Sequence, residues 1–235
     1  MSIAELYGVD FFDTSTVQNH ELGAVAYDQI GRKYRYVKAG AVALVKGNLL
    51  QSPARDTQFT DMTAAAAAVD ATRITVTLGS TAIAANEFND GVLVVSVTPG
   101  IGQTFSIRGH QVSAASVTCW FDINERVLTA LTTSSRITAS RGPYNGVIVS
   151  PTTRTGTTVG VAITAIPIAG FGFIGVEGMF GVLSDSSVSA LGEDVSPSTT
   201  TAGCVTKQVT LLENIGSTPI LGVSAQVEPV ILKLP

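Results

Sequence analysis

The chain has 235 residues, with 14 Lys and Arg against 18 Asp and Glu, a net charge of −4 and a pI near 5.1. Charged residues are 14% of the chain, against about 25% in an average soluble protein, while 45% are apolar and 23 are glycine. Few, dispersed cations exclude a basic nucleic-acid groove, surface so poor in charge has to be covered by small residues or by another subunit, and the length fits one large all-β domain or two small ones.

The first 30 residues are weakly patterned and read as an N-terminal arm or irregular lead-in that contacts neighbours. Met1 to Asp10 lacks a basic start and a long apolar run, so no secretory leader is expected. Phe11 and Phe12, flanked by Asp10 and Asp13, are candidate anchors into a neighbouring subunit, with packing in the chain's own core as the alternative. From Arg32 the pattern becomes strand-like. Tyr34 and Tyr36 alternate with Arg35 and Val37, and with Phe11 and Phe12 they complete the candidate interface. The basic group Arg32, Lys33, Arg35 and Lys38 reads as a solvated strand face, because four charges give only weak, salt-sensitive attraction to phosphate.

Gly47-Asn48 marks a turn, and Ser52-Pro53 opens a loop. Asp61 to Val69 contains the run Ala64 to Ala68. Alanine has the best helix propensity and Asp61 or Thr63 can cap, so one short helix is expected over 61–69. Thr72 to Leu78 then alternates with period two, as a half-buried strand does. Val92 to Val97, without polar alternation, reads as a strand buried on both faces. Pro99 to Gly102 turns the chain. Phe105 and Ile107 start a further strand, and Val117, Cys119 and Phe121 continue the meander with Trp120 on the opposite face.

Arg141-Gly-Pro143 and Asn145-Gly146 are turn signals. Beyond them charge nearly vanishes and glycine and β-branched residues rise. The apolar stretch Val159 to Phe180 is broken by Pro167 and five glycines, so it reads as buried strands around a turn rather than as a membrane span. Strands are expected over Phe171 to Val176 and Gly178 to Leu183, and again toward the C-terminus. The expected fold is all-β: antiparallel sandwich or barrel subdomains with one short helix near 61–69. The expected division is a lead-in over 1–30, an antiparallel region with the helix over 31–145, and a Gly/Val-rich barrel or sandwich over 146–235. No clean internal repeat is visible.

The inventory for chemistry is thin. His20 and His110 read as hydrogen-bonding residues at turns. No GxSxG elbow, dinucleotide fingerprint or phosphate loop is present. Glu193 and Asp194 are adjacent, but a hydrolase needs carboxylates facing each other across a cleft. Cys119 and Cys204 read as buried thiols by default, with a disulfide left open. No spacing suggests zinc or calcium. No catalytic residue, metal or cofactor is expected.

Several stretches carry a resemblance. They are Tyr144-Asn-Gly-Val-Ile-Val149, Gly178-Met-Phe-Gly-Val-Leu-Ser-Asp185, and Ala190-Leu-Gly-Glu-Asp-Val-Ser-Pro197 running to Ala202-Gly203. Upstream are Ile74-Thr-Val-Thr-Leu-Gly79, Gly91-Val-Leu-Val-Val95 and Gln103-Thr-Phe-Ser-Ile-Arg-Gly-His110. In this order they resemble tailed-bacteriophage virion proteins of the head-decoration, or cement, type, over roughly Arg32 to Leu234. Gly192 is followed here by Glu193 rather than directly by aspartate. The resemblance implies a structural protein on the outer surface of the capsid, made in the host cytoplasm. Its partners would be the major capsid protein and itself, as a homotrimer, with no specific nucleic acid, membrane or cofactor and no active site. The alternatives are another virion component, such as a head fibre base or tail protein, or a carbohydrate- or receptor-binding β module.

Overall fold

A computed structural model describes residues 5–185, 190–209, 212–220, 223 and 225–234. The fold is all-β: seventeen strands and one 3-10 turn, Thr57–Phe59, make up the regular structure of these residues. Among them no helix is long and apolar enough to cross a membrane.

The chain forms two compact units, one from residues 1–54 with 143–235 and the other from 55–142. The expected three-part division is therefore corrected. Residues 31–54 belong with the C-terminal part, and the second unit is an insertion. The reason lies in strand pairing. β4 (Leu49–Gln51), the last strand before the insertion, pairs antiparallel with β11 (Asn145–Val149), the first after it, with Ile148 opposite Gln51. The insertion thus occupies the place of a hairpin loop, where added sequence is best tolerated.

The inserted unit is a closed six-stranded barrel. Its strands are β5 (Met62–Ala64), β6 (Arg73–Thr77), β7 (Val92–Val97), β8 (Thr104–His110), β9 (Thr118–Ile123) and β10 (Arg136–Ser140), in the order β10-β5-β6-β9-β8-β7 with β7 returning to β10. Alternate residues point inward, as the pleat requires. Ile74 and Val76, Leu93 and Val95, Phe105 and Ile107, and Cys119, Phe121 and Ile123 fill the interior. β7 alternates as well, so the expectation of burial on both faces is corrected: Leu93 and Val95 face inward while Val92 and Val97 are exposed.

The helix expected over 61–69 is absent. Met62 and Ala64 are buried and Thr63 half-buried, the period of a strand. Thr63 pairs with both Arg136 and Thr77. Asp61 and Asp70 have positive φ, which excludes a right-handed helix from running through either position. A nine-residue helix is marginal in water however good its propensity, and the barrel supplies two strand neighbours instead.

The other unit is organised by a long strand, β13 (Phe171–Leu183). Its first half lies beside β3 (Lys33–Ala39) and β12 (Thr158–Ala162). β3 continues through β11 and β4 back to β12, so these five strands close on themselves. Its second half pairs with β17 (Val227–Lys233), and the sheet runs on through β16 (Gly216–Ser217) and β14 (Asp194–Pro197) to β15 (Val205–Lys207). A parallel bridge from Ser184 to Val205 brings β15 back beside the end of β13. The sequence expects two strands here, split at Glu177-Gly178. One continuous strand results, bent where the register shifts between Gly175 and Glu177 and where Gly178 has φ 103°. β1 (Glu5–Leu6) and β2 (Val25–Tyr27) add to the edge of β3.

A turn device recurs in both units. Leu44 bridges Ile166, Ala67 bridges Leu131 and Ile83 bridges Ser113, each pair exchanging two backbone hydrogen bonds of 2.9–3.1 Å. Three residues after the bridge the chain takes positive φ at Gly47, Ala169, Asp70, Asn86 and Ser116, and then enters or approaches the next strand. The left-handed position is filled by five different residue types, which is why no repeat is visible in the sequence.

Candidate interaction surface

β3 carries the residues that the sequence singles out, and its pleat separates them. Tyr34 and Tyr36, expected at an interface, are 2% and 3% exposed and belong to the core of their own unit. Phe11 stacks on Tyr34 with ring centroids 4.0 Å apart and meets Phe173 edge-on at 5.7 Å. It packs inside the chain rather than projecting to a neighbour. Phe12, one residue on, faces the other way and is 64% exposed. Parts of the lead-in also lie against the unit, since β2 pairs along β3 and Ser15 bridges Phe171.

The basic residues of β3, and Arg32 just before it, all have partners within the unit. Arg32 meets Asp28 at 2.7 Å, Lys33 meets Glu177 at 3.9 Å, the Arg35 guanidinium lies 5.1 Å from the Tyr144 ring centre and Lys38 Nζ lies 5.7 Å from that of Phe171. Tyr34 donates its hydroxyl to Asp28 at 3.1 Å. Burial pushes the Tyr34 phenol up to about 12. Burial also opposes ionisation of Asp28, but hydrogen bonds from Arg32, Tyr34 and Ile30 outweigh it and hold the carboxyl below its ordinary value. This is a structural cluster with its polar groups matched.

The acid–base groups that the sequence singles out lie in several separate places. Asp10, Asp13 and His20 line one small cavity of about 150 Å³ with Tyr36. Asp10 is occupied in a local turn, accepting from the Phe12 N–H at 2.9 Å, and His20 packs edge-on against Tyr36 at 5.0 Å. Glu193 pairs with Lys207 at 2.6 Å while Asp194 is exposed at the start of β14. Cys119 and Cys204 are free and buried, and burial raises both thiols. Among the described residues no group of three or more His, Cys, Asp or Glu could hold a metal ion.

His110 is buried inside the barrel unit, not at a surface turn. Its Nε2 accepts the Phe88 N–H at 2.8 Å and its Nδ1 lies 2.9 Å from the Gln111 carbonyl, which assigns the proton to Nδ1. Burial lowers its pKa below the ordinary 6.5. A histidine held neutral in the fold contributes its full stabilisation above the unfolded value. As pH falls through about 6.5 the unfolded chain takes the proton first, and stability declines until the folded histidine protonates as well. The barrel is therefore expected to lose stability as pH falls below about 7, with a flatter profile in His110→Gln. Denaturant titration followed by Trp120 fluorescence tests both.

The β13 unit also carries a groove of about 530 Å³. Tyr34 and Phe180, their rings 5.3 Å apart, contribute to its floor, and Phe12, Met179 and Val227 stand around it. Met179 is 49% and Val227 54% exposed. Two cations also line it. Arg32 is taken by Asp28, whereas Lys46 makes no ion pair among the described residues. The groove's one carboxylate, Glu228, accepts the Val223 N–H. Of the expected interface residues, Phe12 and Tyr34 come together here, Phe11 stacks behind Tyr34, and Tyr36 lies elsewhere. Met179, Lys46 and Val227 are not singled out by sequence, since each reads as an ordinary strand or turn residue. Neither protein-family models, nor curated proteins, nor solved structures yield a match to this chain.

Proposed function

We propose that the chain is a structural virion protein that binds the outer surface of a bacteriophage capsid and stabilises it by bridging neighbouring capsid subunits, acting as a homotrimer and not as an enzyme. The observation that carries this reading is the apolar groove on an otherwise well-packed β unit. Half-exposed Phe12, Met179 and Val227 surround it, and a large apolar side chain gains about 1.5–3 kcal/mol when fully taken out of water. Three copies acting together multiply a modest single-site affinity into firm attachment. The low charge of the chain accords with a surface shared with neighbours.

The carbohydrate-binding alternative draws less support. The one tryptophan, Trp120, has the Arg73 guanidinium 4.0 Å from its ring centre, and Asp122 fixes that guanidinium at 2.7 Å, so one face of the ring is already covered.

The test is a comparison of particles with and without this protein. Particles lacking it are expected to release their genome at lower temperature and under milder osmotic shock, and adding the purified protein is expected to restore resistance. Equal resistance in both preparations would remove the cement role.

A further inference from the structure

The groove also exposes backbone. Along β13, Ser184 donates its N–H to the Gln226 carbonyl, and Val176 offers its carbonyl to the Leu234 N–H. Even-numbered residues therefore direct their peptide groups toward β17 and odd-numbered residues direct theirs away, since alternate residues of a strand hydrogen-bond to opposite sides. On the far side β3 pairs with β13 only as far as Glu177 opposite Lys33, and the next backbone bond is Leu183 N–H to the Gly47 carbonyl at 2.8 Å. Between these points Met179 and Gly181 turn N–H and C=O groups toward the groove with no ladder neighbour among the described residues. Residues 178–182 span roughly 17 Å of strand, a length of open edge closed at both ends by the chain's own backbone.

An open edge beside an apolar hollow is the geometry of strand addition, in which main-chain bonds hold a guest strand and pockets select its side chains. The charges select further. Arg32 is paired with Asp28 and Glu228 is buried at 6% exposure, whereas Lys46 is exposed and without an ion pair among the described residues, so the charge presented at the mouth of the groove is the Lys46 ammonium. We propose that this gap is the capsid-docking site. Its occupant would be an extended segment of the shell protein, about four to five residues long, that adds a strand to Met179–Gly181, places an apolar side chain over Tyr34 and Phe180, and sets a carboxylate against Lys46. This rests on the capsid-binding reading above and specifies where and what the chain binds.

Two measurements test it. In the first, the isolated protein is titrated with an end-blocked pentapeptide, Val-Thr-Glu-Thr-Val, while its backbone amides are followed by NMR. The Met179 and Gly181 amides are expected to shift and to exchange more slowly with solvent. The peptide with Lys in place of Glu is expected to bind more weakly, and Lys46→Glu to invert that order. Unperturbed Met179 and Gly181 amides, or binding indifferent to the peptide's charge, would overturn the site. Protection of the same amides by self-association, without peptide, would overturn the shell segment as occupant.

The second measurement is binding to stripped particles. Gly181→Pro deletes the outward N–H without touching a bond to β17. The added Cβ comes within 2.8 Å of Val227 Cγ1, a half-exposed side chain that has to shift, and the protection of the β13–β17 amides reports whether the strand tolerates it. Gly181→Pro and Lys46→Glu are each expected to weaken particle binding roughly tenfold while the β13–β17 amides stay protected. If wild type binds particles and both folded variants bind as well, the docking site is wrong and the capsid role stands. If the pentapeptide binds the groove and wild type binds no particle, the capsid role fails and the shell segment with it.

Discussion

Removing residues 1–30 is expected to unfold the β13 unit, not merely to weaken an attachment. The segment supplies the Phe11 ring against Tyr34 and Phe173, the His20 ring against Tyr36, and β2 along β3. It also supplies Asp28, which receives the Tyr34 hydroxyl and the Arg32 guanidinium. Without it two tyrosines that are nearly inaccessible face water, and one of them loses its hydrogen-bond acceptor. At about 1.5–3 kcal/mol for each large apolar side chain, loss of Phe11, Leu22 and Val25 alone comes to roughly 5 kcal/mol. That is comparable to the whole stability of an ordinary domain. Near-ultraviolet circular dichroism and amide dispersion of the truncated chain are the readouts. A truncated protein that keeps both signals and a cooperative transition would show that the lead-in is dispensable after all.

The second large effect is expected in the barrel. Phe121 is fully buried in β9, 4.9 Å from the His110 ring and 6.3 Å from that of Phe88. Phe121→Ala leaves a cavity the surrounding strands cannot close, because each is held on both sides by the ring of pairings. The expected loss is about 3–5 kcal/mol, and Phe121→Leu should lose much less because most of the volume is retained. Trp120, the one tryptophan and the residue next to Phe121, reports on this unit specifically. An unchanged denaturation midpoint by Trp120 fluorescence in Phe121→Ala would contradict the closed, tightly packed interior.

Strand identity was legible where burial alternates along the chain. Arg73 to Thr77 and Thr118 to Ile123 carry the period of two in their own side chains, so no distant partner is needed to recognise them. The barrel's edges in the chain were less so. The alanines after Asp61 favour a helix in isolation, and only the presence of β6 and β10 on either side decides for a strand. Local preference over nine residues is small against two rows of ladder bonds and a share in a closed core. The insertion was illegible for a similar reason. Nothing in residues 49–51 or 145–149 states that they pair across about ninety intervening positions.

The candidate site divides in the same way. Its aromatic members, Phe12 and Tyr34, stand out in composition. Its open edge does not, because whether a strand has a neighbour is a property of the sheet and not of the strand. What the amino-acid sequence determined by itself is the class: low charge, abundant glycine and β-branched residues, and period-two runs suffice for an all-β protein, since these are local physical preferences. What only the tertiary structure decided is which strands close into rings, that Tyr34 and Tyr36 face inward, and that β13 at Met179 and Gly181 has no strand neighbour among the described residues on the side away from β17. Those outcomes depend on contacts between segments far apart in the chain, whose free energy is realised only when all of them meet.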